Sequence, residues 1–171
     1  MPSNYAASGM FGNALEAVRH LVASSQTFRN IVGAGSETDA MRYVHAPEAS
    51  DRDGEEDPMP RAIVGIATFE TTNFGSATWS DRGTLDLSFE FVPPSNLTGN
   101  RDDCYAWFVT KVGEILTEMR TNSGSANEVT GTGSYLNMRQ IQLVEGPGQG
   151  VLDEEGGKLF YGVCFSIPWG G

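Results

Sequence analysis

The residues best equipped for chemistry in this chain are its acids, its two histidines and its two cysteines. Six carboxylates, Glu48, Asp51, Asp53, Glu55, Glu56 and Asp57, crowd into residues 46–60 against Arg52 alone, a local balance of −5. Within them, Asp51-Arg52-Asp53-Gly54 resembles the middle of a calcium-binding loop. If Gly54 takes the sixth position, Ala49 falls at the first and Pro60 at the twelfth, where such a loop needs carboxylates. Both anchoring ligands are missing. The segment therefore reads as a hydrated acidic loop, closed by Pro58 and Pro60.

The other candidates fail on spacing. His20 and His45 belong to different elements, and neither an H-E-x-x-H pattern nor a cysteine pair at ligand spacing occurs, so a standard zinc site is excluded. Gly33-Ala34-Gly35-Ser36-Glu37-Thr38 lacks the third glycine of a dinucleotide fingerprint, follows a helical pattern and reads as a helix stop. Gly146-Pro147-Gly148-Gln149-Gly150 has no Lys-Ser/Thr after it, so it reads as a hairpin connection and not a phosphate loop. A G-x-S-x-G nucleophile elbow is absent. Glu114 and Glu118, one helical turn apart, read as an exposed helix face. Cys104 and Cys164 sit inside apolar patterns and read as buried free thiols in a reducing compartment. No catalytic residue, cofactor site or metal site is expected.

Charge narrows the partners. Eleven basic residues against 22 acidic ones give −11 over 171 residues, which repels nucleic acid at long range. No apolar run approaches the length of a membrane span. The first twenty residues lack the basic start and unbroken apolar stretch of a signal peptide, so Asn96-Leu97-Thr98 is a glycosylation sequon on paper only. One domain spanning residues 1–171 accounts for the length.

The elements that must position these residues follow from periodicity. A helix starts near Gly12, with Leu15, Val18, Leu21, Val22 and Ser25 on one stripe and Glu16, Arg19 and His20 opposite. A short helical turn follows, capped by Ser24 or Ser25, carrying Phe28, Ile31 and Val32 and stopped by Gly33 and Gly35. Residues 61–70 form a nearly continuous apolar strand, which suits cover on both faces. Asp81-Arg82-Gly83 reads as a turn, and residues 84–91 alternate, with Leu85, Leu87, Phe89 and Phe91 inward. Asn100 caps a helix over 100–122 with Cys104, Trp107, Phe108, Lys111, Ile115 and Met119 down one side, joined by Val112 and Leu116. Strands over 135–144, with a bulge near Arg139-Gln140, and over 159–167 close the chain. This order predicts an α+β fold: an antiparallel or mixed sheet of four to five strands with two main helices on one face.

The last strand holds more apolar weight than one helix layer needs. Leu159, Tyr161, Val163, Phe165 and Ile167 share one face, while Phe160 and Cys164 share the other with Gly162 between them. Either residues 46–60 and 71–80 fold over that second face, or a neighbouring subunit covers it. Phe160 and Cys164 are thus the candidate oligomer interface.

Four segments in this order, ALEAVRHLVASSQTFRNIVGA, TLDLSFEFV, DDCYAWFVTKVGEILTEMR and GKLFYGVCFSIPWGG, resemble the tail terminator (tail completion) proteins of long-tailed bacteriophages. The resemblance spans roughly residues 13–169 and rests on element order and the aromatic closing strand with Trp169. The acidic segment 46–60 is longer than that pattern suggests. The resemblance implies a non-enzymatic virion protein, assembled in the host cytoplasm, that forms a homo-oligomeric ring, usually six-fold. Such a ring caps the tail tube protein and meets the head-neck connector protein, while DNA passes through its lumen without specific binding. It implies no cofactor and no membrane, and it leaves the acidic loop to line the lumen or face a partner. The alternatives are another neck or tail-tube component, or a small acidic ligand-binding domain or enzyme.

Overall fold

The computed structural model describes residues 5–47, 59–73, 75, 79–123, 128–129, 134–151 and 159–170. The α+β expectation holds: four helices pack on one face of a seven-stranded mixed sheet. The elements run α1 (Gly9–Ser24), α2 (Gln26–Val32), α3 (Glu37–Met41), β1 (Val44–His45), β2 (Arg61–Asn73), β3 (Trp79–Phe91), α4 (Arg101–Ser123), β4 (Glu128–Val129), β5 (Ser134–Leu136), β6 (Gln142–Val151) and β7 (Leu159–Gly170). Strand order is β1-β2-β3-β7-β5-β4, with β6 beside β5 along the same edge of β7. Among the described residues only the β1–β2 pair is parallel.

Alternation sets the core. Leu85, Leu87, Phe89 and Phe91 of β3 and Val163, Phe165, Ile167 and Trp169 of β7 all turn toward the helices and are buried. Phe28 of α2 meets the rings of Phe89 and Phe91, and Phe108 of α4 meets Phe91 and Tyr161. One apolar row, Val64–Leu87–Phe165–Leu143, crosses the sheet from β2 through β3 and β7 to β6. Helix starts follow the expected chemistry. The Asn100 side chain accepts from the Asp102 and Asp103 N–H groups, and Ser25 caps α2 by accepting from the Phe28 N–H.

Several expectations need correction. Arg19 does not face solvent: it is 1% exposed, donating to the carbonyls of Tyr5 and Met41 and to Glu16 at 2.6 Å, with Tyr5 stacked on its guanidinium. The N-terminal segment thus folds back along α1, and Gly12 leaves it room, since a Cβ there would lie 2.7 Å from the Ala7 carbonyl carbon. The Gly33–Thr38 stretch stops α2 at Gly33 (φ 71°), and it then starts α3, with Ser36 accepting from the Asp39 N–H. Trp107 is only half-buried, because the inward stripe of α4 runs through Cys104, Phe108, Val112, Ile115 and Met119.

Asp81-Arg82-Gly83 is no turn; these residues pair with Thr71, Glu70 and Phe69 inside the β2–β3 hairpin. Residues 71–73 and 79–80 therefore extend this hairpin and do not fold across the sheet, while residues 74 and 76–78 lie outside the described residues. Only the first five residues of β2 are covered, and most of the strand from Ile66 onward is exposed. The 135–144 strand divides into β5 and β6 around a turn in which the Gln140 N–H donates to the Asn137 carbonyl, a larger break than a bulge. The Gly146–Gly150 run is not a connection: Gly148 and Gly150 pair with Gly162 and Phe160, and two irregularities between Leu143 and Gly148 absorb the Gly-Pro-Gly. Of the acidic segment, residues 48–58, with Glu48, Asp51, Asp53, Glu55, Glu56 and Asp57, lie outside the described residues.

Candidate functional site

The face of the sheet opposite the helices is built by the alternate residues of the same strands. On β3 these are Thr84, Asp86, Ser88 and Glu90, and on β7 Phe160, Gly162, Cys164, Ser166 and Pro168. Register lines them up in rows: Ile63–Ser88–Cys164–Glu145 and Gly65–Asp86–Ser166–Gln142. The result is a wall of hydroxyls, glycines and carboxylates. Two arginines lie on it, and both are engaged: Arg61, 7% exposed, by Glu90 at 2.6 Å, and the more open Arg82 by Glu70 at 2.8 Å.

Phe160 and Cys164 do share this face, and neither is fully covered or fully open. The Phe160 ring lies over Gly150, where a Cβ would come within 2.3 Å of it. A shallow hollow of about 250 Å³ opens there, lined by Ser88, Glu90, Glu145, Gly150, Phe160 and Cys164. Of the two thiols read as buried, Cys104 is, donating to the Leu97 carbonyl, whereas Cys164 is half-buried. Burial pushes the Cys164 thiol above its ordinary pKa, and the Asp86 and Glu145 carboxylates add to that against a hydrogen bond with Ser88. The thiol therefore stays protonated near neutrality and is a poor nucleophile or metal ligand.

Of the segments expected to cover this face, Pro47 touches it. Its Cγ would stand 2.5 Å from a Cβ on Gly65. Pro60, at the other end of the acidic segment, lies on the helix side. There it lines an open cleft of about 380 Å³ with Thr27, Ile31, Trp107 and Lys111.

Two features escaped the sequence reading. The first is an arm. Beyond Arg82, which pairs with Gly170 at the end of β7, the rungs Thr71–Asp81, Thr72–Ser80 and Asn73–Trp79 have no third strand beside them among the described residues. At its root Phe69 stacks on Trp169 and meets Phe11 edge-on at 4.8 Å, joining the arm to the start of α1. The signal was present in the length of the apolar and threonine-rich run, but the Asp-Arg-Gly triplet hid it. The second is the role of Glu114 and Glu118, which do not form a free face. Glu118 accepts from Ser25 and Thr27 at the start of α2, and Thr27 also reaches Glu114.

Chemically the sheet face can present hydration and negative charge, and the arm and edges can present backbone and apolar contact. His20, exposed, faces Glu37 across 3.4 Å, while His45 is buried in β1. Among the described residues no three His, Cys, Asp or Glu side chains come together as a metal site, and no helix is long and apolar enough to cross a membrane. The sequence matches no protein-family model and, among curated proteins, has no significant match.

Proposed function

We propose that this chain is a virion structural protein of a long-tailed bacteriophage that caps the tail tube as a homo-oligomeric ring and joins it to the head-neck connector. The observation that carries the reading is the helix-free sheet face, where Thr84, Asp86, Ser88, Glu90, Glu145 and Ser166 supply hydroxyls and carboxylates and the two arginines, Arg61 and Arg82, are each held by a glutamate. Turned toward a lumen, such a face stays hydrated and repels a polyanion, so DNA slides past it without sticking. The helices then form the outer layer. The segment resemblance, the −11 charge and the projecting arm, a two-stranded ribbon with little stability of its own in water, fit the same assembly.

The experiment is electron microscopy of the purified protein, alone and with tail tubes polymerised from the tube protein. The expected result is a ring with an open channel that binds tube ends and halts their growth. A protein that stays monomeric and leaves tube length unchanged overturns the reading. A small ligand-binding domain, the rival class, would instead place its ligand in the cleft beside Trp107 and Lys111.

A further inference from the structure

Both outer long strands of the sheet leave a backbone edge open among the described residues. β1 covers only Ala62 and Ile63 of β2, so the ten residues 64–73 have no strand on that side. β6 pairs with β7 and with nothing beyond it. Natural sheets commonly guard such edges with lysines or inward-pointing charges. Here the guard is thin. Residues 64–73 hold one ionisable side chain, Glu70, already held by Arg82 at 2.8 Å, and β6 holds one, Glu145. In a chain of −11, these are stretches where like charge does little to oppose self-contact.

The two edges also match in composition and height. Ile66 on β2 is 41% exposed, and Leu143 and Val144 on β6 are 57% and 61% exposed. Leu143 belongs to the row of Val64, and Ile66 lies one row further along the same face, paired with Leu85. Direction matches as well. β2, β3, β7 and β6 alternate, so β6 runs antiparallel to β2.

We infer that the open edge of β6 in one copy of this chain pairs with the open edge of β2 in the next, placing Leu143 against the neighbouring Ile66. Four strands per copy is an even number, so antiparallel alternation continues unbroken across the junction. A stagger of two residues sets Leu143 opposite Ile66, and a sheet that closes on itself requires a stagger. The contact joins two different patches, so repetition of one rotation generates a ring and not a closed dimer. The inference deepens the ring reading and rests on it for closure, though not for the contact itself.

Ile66→Lys and the double variant Leu143→Lys/Val144→Lys test it by mass photometry, with far-UV circular dichroism to confirm folding. All three positions are substantially exposed, so the core is untouched. The parent is expected as a multi-copy species and each variant alone as a monomer. An equal mixture should double in mass and stop there, because each variant keeps one intact edge. A monomeric parent overturns the inference, as does either variant assembling like the parent, or one variant still dimerising alone. Hydrogen exchange on the parent needs no substitution: protection should rise at residues 64–73 and 142–151 on going from dilute to assembled protein, and unchanged rates overturn the pairing. If rings cap tubes yet the variants still assemble, the edge pairing fails and the functional reading stands. If the edges pair as described but tubes remain uncapped, the functional reading fails and the pairing stands.

Discussion

Ser25 and Glu118 are 93 positions apart in sequence, yet the Ser25 hydroxyl donates to a Glu118 oxygen at 2.5 Å while its own oxygen accepts the Phe28 N–H. The carboxylate also accepts the Thr27 N–H at 3.0 Å and the Thr27 hydroxyl at 2.8 Å. One turn further along α4, the Asn122 amide reaches Ser24. A side chain of α4 thus completes the cap of α2, where the helix dipole favours negative charge.

Glu118→Ala should therefore destabilise the protein by about 1.5–3 kcal/mol, the range for hydrogen bonds to a charged group. Burial pushes the Glu118 pKa upward, but the hydrogen bonds from Ser25 and Thr27 outweigh it and hold the carboxyl below its usual value. A depressed pKa contributes stability that is present above the ordinary carboxylate range and is lost as pH falls through the lowered value. Thermal melts of parent and variant should differ most at neutral pH and converge in strong acid. A constant gap would show that the charge is not what holds α2.

Arg19 gives a second prediction. Arg19→Ala leaves Glu16 and two partly buried carbonyls without their donor, and breaking such a pair costs about 3–5 kcal/mol. Hydrogen exchange should also speed up at Ala7, whose N–H donates to Glu16. His20→Ala, next door and exposed, should change the melting midpoint little.

Adjacent aromatics on α4 separate core from surface. Phe108→Ala should cost about 3–5 kcal/mol, since the ring is fully buried among Phe91 and Tyr161. Trp107→Ala should cost about half that, because half-buried surface loses less on truncation. Urea midpoints of the two variants compare them directly. Equal losses would mean that the cleft beside Lys111 is closed in solution.

Two glycines should respond in opposite directions to alanine. A Cβ on Gly83 would meet the Thr68 carbonyl oxygen at 2.2 Å and the Trp169 indole at 3.0 Å, so Gly83→Ala must displace β2 or the indole and lower the melting midpoint. Gly113, exposed in α4, has nothing within 4 Å of that position. Gly113→Ala should stabilise by about 0.5–1 kcal/mol through helix propensity.

Thiol labelling checks the sheet face. Cys164 should react slowly at neutral pH, and its rate should still be climbing where an ordinary thiolate is fully formed, because its pKa is raised by burial and by Asp86 and Glu145. Cys104, buried, should label only on unfolding. Fast labelling of Cys164 at neutral pH would contradict the electrostatics of this wall.

Much of the fold was legible because burial has a period. The strict alternation of residues 84–91 and the stripe of α4 identify the core, and Asn100 and Ser25 mark helix starts by local chemistry alone. What could not be read depends on long-range partners. Arg19 looks like a surface residue until Tyr5 and Met41 supply partly buried carbonyls. Glu118 looks idle until α2 arrives beside it. Asp81-Arg82-Gly83 has turn composition, yet Gly83 is small to admit an indole and not to bend the chain. Phe160 and Cys164 were rightly placed on one face by parity, but the arm and the open edges emerge only from pairing.

Ala67 is the extra residue between the pairs Ile66–Leu85 and Thr68–Thr84. It shifts the parity of β2, so even-numbered residues face the helices before it and odd-numbered ones after it, which is how Phe69 comes to meet Phe11 and Trp169. Removing Ala67 would leave Phe69 on that same face, because the residues beyond it would simply close the gap. What would change is local bend and twist, which a bulge accentuates. Which side chains the arm shows and which way the arm points are therefore separately adjustable, and a single deletion could re-aim the arm without altering what it carries.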